Sequence, residues 1–194
     1  MGLFSKKTKP SQNAYAVVTG AGSGIGRSFA LELGKRGGVV VCADINLAAA
    51  EETVSLLAQQ GAKGFAVTCD VGVAEQVKQL AETAEQLMQH PVSLVINNAG
   101  VGLGGKFDEV SLEDWQWVTH VNLWGVIHGC HYFVPKFKQL GYGAIINVAS
   151  AASYTSAPEM TAYNVTKSGV LALSETLAAE LKKFKISVNV LCPT

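Results

Sequence analysis

The sequence has no apolar run near the roughly 20 residues that a membrane-crossing helix needs, although 48% of its 194 residues are apolar. It reads as a soluble domain with enough apolar mass for a substantial core. It also lacks an excess of either charge, with fifteen basic residues against fifteen acidic ones. No whole-chain field would gather a nucleic acid or an anionic membrane surface, so neither is expected as a partner. The N-terminal stretch MGLFSKKTKPSQNA has no apolar signal core, and Lys6 stands where a myristoylation signal wants Ser or Thr. Met1 to Asn13 is expected to be a flexible polar arm. Cysteine is sparse. Cys42, Cys69, Cys130 and Cys192 form no CxxC pair and lie mostly in or beside apolar runs, which suits buried, reduced thiols and a cytoplasmic location. The one cluster worth weighing for a metal, His128, Cys130 and His131, falls in a helical stretch that would leave an ion under-ligated. No metal is expected. Repeats, low-complexity tracts and internal linkers are missing too, so residues 14–194 read as one domain.

What is present is an alternation of short apolar runs with longer segments of helical period. Ala14 to Thr19, Val39 to Ala43, Gly64 to Cys69, Ser93 to Ile96, Ala144 to Val148 and Ile186 to Leu191 are β-branched and apolar at both parities. Such strands bury both faces. Gly24 to Arg36, Leu47 to Gln60, Ala74 to Gln89, Leu112 to Gln139 and Ala157 to Phe184 supply the crossovers. Strand, helix, strand in this order implies an α/β fold, a doubly wound Rossmann-like parallel sheet of about six strands with helices on both faces.

The first strand runs directly into Thr19-Gly20-Ala21-Gly22-Ser23-Gly24-Ile25-Gly26, and a helix follows. Glycines there let the backbone approach a pyrophosphate, while the free amides of a helix start offer donors and partial positive charge. Asp44 ends the second strand, 24 residues beyond Gly20, where a dinucleotide-binding fold places an acid against the adenosine ribose. A carboxylate accepts from two ribose hydroxyls and repels a 2′-phosphate. NAD is therefore expected over NADP, although Asp44 could also serve as the cap of the next helix.

Tyr163 and Lys167 are spaced to project from one face of a helix. A free phenol titrates near pH 10, so acid–base service near neutrality requires its anion to be stabilised by about 4 kcal/mol. A neighbouring ammonium and a cationic nicotinamide both act in that direction. The spacing alone is common on solvated helices. Ser150 stands 13 residues earlier, just past the fifth strand, at the end of the sheet where open α/β folds bind ligands. Its hydroxyl could hold a carbonyl oxygen or simply cap a turn.

Taken together these motifs resemble the short-chain dehydrogenase/reductase family. Thr19 to Gly26 matches its TGxxxGxG turn, Asn97-Asn98-Ala99-Gly100 its NNAG element, Asn122-Leu123-Trp124-Gly125 its Asn-x-x-Gly, and Ser150 with Tyr163-Asn164-Val165-Thr166-Lys167 its catalytic set. The resemblance implies an NAD-dependent oxidoreductase acting on a secondary alcohol or ketone. Tyr163 would be the general acid/base and Ser150 would polarise the substrate oxygen. Lys167 would lower the phenol pKa and hold the nicotinamide ribose, and Asn122 would anchor a water in a proton relay. It further implies cofactor contacts from Gly20, Ser23, Gly24, Ile25 and Gly26 at the phosphates, Asp44 at the ribose, and Asp70 and Val71 at adenine. Asn98, Ala99 and Gly100 would line the adenosine side, and Pro193 would approach the nicotinamide. A homodimer or homotetramer through the helices around 112–139 and 157–184 is implied as well.

Relatives in this family usually continue beyond the sixth strand with a further strand and a loop over the substrate. The sequence is accordingly expected to be a fragment of a longer chain, with the sixth strand an open edge and the substrate selected partly elsewhere and partly by Val101 to Val110. A competing expectation is an NAD-binding scaffold or sensor without turnover. A sugar-nucleotide epimerase is disfavoured by the spacing of Gly20, Gly24 and Gly26.

Overall fold

The computed structural model describes residues 9–194. Each of the six apolar runs is a strand: β1 (Tyr15–Thr19), β2 (Val39–Asp44), β3 (Lys63–Thr68), β4 (Leu94–Asn97), β5 (Gly143–Val148) and β6 (Ile186–Leu191). All neighbours pair in parallel, in the order β3-β2-β1-β4-β5-β6. The order reverses between β1 and β4, which opens the crevice where doubly wound sheets take ligands.

Helices α1 (Gly24–Lys35), α2 (Leu47–Gln59), α3 (Ala74–Met88), α4 (Leu112–Thr119), α5 (Gly125–Leu140) and α6 (Thr161–Leu181) form the crossovers. The two-parity apolarity of the strands has its cause in two cores, one on each face. Val17, Val41, Val95 and Ile145 pack on one side with Leu80, Phe133, Phe137 and Val170. Ala16, Val18, Val40 and Ile96 pack on the other with Ala30, Leu33 and Leu57 from α1 and α2. Among the described residues no helix is long and apolar enough to cross a membrane.

Three departures from the sequence expectations have local causes. The helix expected over Leu112 to Gln139 is split by a π-helical turn, His120–Trp124, which inserts Asn122 into the protein interior at 0% exposure. The last long helix starts at Thr161 rather than Ala157. Pro158 disfavours helical geometry at the residue before it, and Glu159 adopts a left-handed φ of 60°. Of the N-terminal arm, Met1 to Thr8 lies outside the described residues. Residues 11–13 are fastened to the end of α1, since Asn13 donates to the Arg36 carbonyl at 3.0 Å and Arg36 to Ser11 Oγ at 3.0 Å.

Candidate active site

A cleft of about 740 Å3 opens along the carboxyl ends of the strands. It is lined by Gly20, Ser23, Gly24 and Ile25 from the β1–α1 turn and by Asp44, Asp70, Val71, Asn98, Ala99 and Gly100 from the next strand ends. Ser150, Tyr163, Lys167 and Pro193 close its other end. Thus all but two of the expected site residues share one cavity. Gly26 and Asn122 are the exceptions, both being buried behind its wall.

The glycine turn is built as a cradle. Ser23 precedes α1 without a side-chain cap, so the amides at the helix start are open to the cleft. Gly24 holds a left-handed φ of 51°, and a Cβ there would meet no protein atom within 4 Å. Gly20 is left-handed as well, and a Cβ on it would come within 2.8 Å of Ala99 Cα. Gly26 has a packing role as well. A Cβ on it would be driven into the Gly20 carbonyl, so its bareness lets α1 close onto β1.

The turn is braced from several sides. Thr19 Oγ1 accepts from the amides of Asn98 at 3.0 Å and Ala99 at 3.1 Å, while Asn98 Nδ2 donates to the Thr19 carbonyl at 2.9 Å. Behind the turn, Thr53 donates to the Ala21 carbonyl at 2.8 Å and Arg27 donates to the Gly22 carbonyl. Thr19 was legible as the first letter of the turn motif, whereas Thr53 and Arg27 carry no local signal. Asp44 does not cap α2, a task taken by Asn46. Its carboxylate instead accepts from Gly22 N at 2.8 Å and Asn46 N at 2.9 Å, one bond to each oxygen. Each oxygen keeps acceptor capacity facing the cleft.

At the other end, β5 delivers Ser150 and α6 delivers Tyr163 and Lys167. Ser150 Oγ accepts from Ala152 N at 3.2 Å, capping a short 3-10 turn at Ala151–Ser153. The cap uses a lone pair and leaves the O–H free to donate. Lys167 is only 4% exposed, and its Nζ donates to the Val148 carbonyl at 2.9 Å. It stands 5.8 Å from the centre of the Tyr163 ring. Burial pushes the Lys167 ammonium down from the usual 10.5 to about 8, partly countered by Cys192.

Asn122 exchanges two hydrogen bonds with the Val101 backbone, accepting from its amide at 2.7 Å and donating to its carbonyl at 2.8 Å. A Cβ on Gly100 would lie 3.2 Å from Asn122 Oδ1 and 3.3 Å from Lys167 Nζ. Gly100 thus packs its bare Cα closely against both groups, and a side chain there would crowd them. Of His128, Cys130 and His131, weighed for a metal, the first two have other partners. His128 Nδ1 donates to the Val71 carbonyl, and Cys130 is buried beside Asn97 and Asn147.

The fold and the cleft are those of a dinucleotide-binding α/β domain, and comparisons with known proteins give its family. The short chain dehydrogenase family model matches residues 14–194, and the chain belongs to that family. A cyclohexanol dehydrogenase of an Acinetobacter species is 37% identical over 182 residues, covering 93% of this chain and 72% of that protein. The crystal structure of a short chain dehydrogenase/reductase from Burkholderia phymatum in complex with NAD has 39% identity and a TM-score of 0.92. It covers 96% of this chain and 67% of that one. The Mycobacterium tuberculosis protein named Probable oxidoreductase EphD is 36% identical over 91% of this chain, which spans 30% of its length.

Proposed function

We propose that this chain is an NAD(H)-dependent oxidoreductase that transfers hydride between the nicotinamide and a secondary alcohol or ketone, with Tyr163 exchanging the proton. The observation that carries this reading is one cleft joining an open glycine cradle to Ser150, Tyr163 and a buried Lys167. The cradle suits a dinucleotide: bare glycines, uncapped amides and a pre-oriented acid stand in the order that diphosphate and ribose require.

The amides of Ser23 to Ile25 would hold the diphosphate, and Asp44 the adenosine ribose. Asp70 and Val71 would face adenine, with Asn98, Ala99, Gly100 and Pro193 along the remaining wall. When bound, NAD supplies the hydride acceptor or, reduced, its donor. Ser150, its lone pair already used by Ala152 N, donates its O–H to the substrate oxygen and orients it. Tyr163 takes the proton of an alcohol, or gives one to a ketone oxygen. The Lys167 ammonium, anchored by the Val148 carbonyl, places positive charge beside the phenol oxygen as that oxygen becomes anionic. Asn122 and Lys167 both pack close to Gly100, a proximity that supports Asn122 as the anchor of a proton-relay water. Asp44 supports NAD over NADP, since its charge repels a 2′-phosphate.

Buried thiols at Cys42, Cys69 and Cys130 support a reducing, cytoplasmic setting. Exposed apolar side chains at Trp124 and Val165 support a homo-oligomer through the helical stretches around 112–139 and 157–184. The similarity to a cyclohexanol dehydrogenase supports uncharged alicyclic alcohols as the first substrates to assay. NADH oxidation followed at 340 nm across a ketone panel tests the reading. Tyr163→Phe should reduce turnover about a thousandfold while NADH still binds. Normal turnover by that variant would remove Tyr163 from the chemistry, and NADH binding without turnover on any carbonyl would point to a sensor.

A further inference from the structure

Val71, on the cleft wall after β3, is held from behind by α5 at two points. His128 Nδ1 lies 2.9 Å from the Val71 carbonyl. A carbonyl only accepts, so the Nδ1 nitrogen carries the proton and donates. One turn earlier, Gly125 receives the Val71 side chain, because a Cβ there would come within 2.7 Å of Val71 Cγ2. Gly125 and His128 are three residues apart and therefore share a helix face. The neighbouring Asp70 is fixed as well. Its amide donates to Gln76 Oε1 at 2.8 Å, and its Oδ1 accepts from Gly72 N at 2.9 Å. The loop segment that walls one end of the cleft is thus registered to two helices, and on the α5 side a single polar bond does it.

We propose that His128 is a positioning residue for purine recognition: its Nδ1–H, together with the seat at Gly125, sets the Asp70–Val71 edge so that it discriminates adenine. His128 does not line the cleft, so it acts through Val71. The inference rests on the NAD reading above. If Val71 drifts, the edge facing the base shifts while the phosphate cradle and the Ser150–Tyr163–Lys167 end, built on other elements, stay in place. Loss of His128 should then weaken ligands in proportion to their dependence on the base.

The test compares His128→Leu with the unaltered full chain on three ligands: NADH, reduced nicotinamide hypoxanthine dinucleotide, and reduced nicotinamide mononucleotide. The leucine variant should bind NADH about tenfold more weakly, the scale of one hydrogen bond. It should prefer NADH over the hypoxanthine analogue by a correspondingly smaller factor and use the mononucleotide with unchanged KM. His128→Asn, whose amide nitrogen can stand where Nδ1 stood, should restore both affinity and preference. Unchanged NADH affinity in the leucine variant would overturn the proposal. So would equal weakening of all three ligands, the mark of general loosening, or failure of asparagine to rescue. An unaltered chain that binds none of the three would overturn the NAD reading itself, and this inference with it.

Discussion

Lys167 shows how one side chain serves the site at a cost to the fold. Burial holds its folded pKa near 8 against 10.5 in an exposed chain. Between those values Lys167 binds more protons in the unfolded chain than in the folded one, so its own contribution to stability rises with pH from about 8 to about 10.5, while the buried thiols of Cys42, Cys69 and Cys130, pushed up from 9.0, oppose it above pH 9. Below pH 8 both states are protonated and the full penalty applies, on the order of 3 kcal/mol. Lys167→Met should therefore melt higher than the unaltered chain at pH 7, and that advantage should shrink toward pH 10, while turnover collapses. Urea melts at pH 7 and pH 10 check this, and a methionine variant less stable at both would contradict it. Asp44 makes a second residue-level case. Asp44→Asn keeps an acceptor for Gly22 N but removes the charge, so NADH affinity should fall about tenfold and NADPH affinity should rise. Competitive titration of the two nucleotides reads the result, and an unchanged preference would place discrimination elsewhere.

At the scale of elements, what was legible depended on whether the cause was local. All six strands were readable because each is apolar at both parities; β6 matches its expected bounds, β1, β2 and β5 differ by one residue at one end, and β3 and β4 by one residue at both. The cleft residues were readable because Gly20, Asp44, Ser150 and Tyr163 sit at strand ends or the first turns of helices, which the motif order locates. The π-turn at His120–Trp124 was not readable. It depends on the bond between Asn122 and Val101, 21 residues apart, and no periodicity encodes such a partner. Arg27, Thr53 and His128 escaped for the same reason, since each acts on a backbone carbonyl distant in sequence or hidden by the fold. Gly26 is legible by motif, but its packing against the Gly20 carbonyl is not. Its close approach to Gly20 predicts that Gly26→Ala forces α1 away from β1, destabilising the chain by about 2 kcal/mol or more and weakening NADH together with it. A thermal shift assay with and without NADH would detect both, and an alanine variant with unaltered melting would show that the turn can yield.

For the whole molecule, the open question is what meets the outer surface of α5 and α6. Trp124 is 46% exposed and Val165 53%, large apolar groups on the π-turn that leads into α5 and on α6, which already cover the core with their other faces. Exposed apolar side chains scattered singly are ordinary, but a contiguous patch usually has a partner. A two-fold association would set the same patch against itself, so a charge placed there meets its own copy across the interface. The double substitution Trp124→Glu with Val165→Glu should convert a dimer or tetramer to monomer in light scattering at micromolar concentration. Neither side chain supports the sheet core, so the melting point of the monomer should fall only by the contribution of the lost interface. A monomeric unaltered chain at that concentration would leave the patch without a second copy and remove the oligomer from the proposed function.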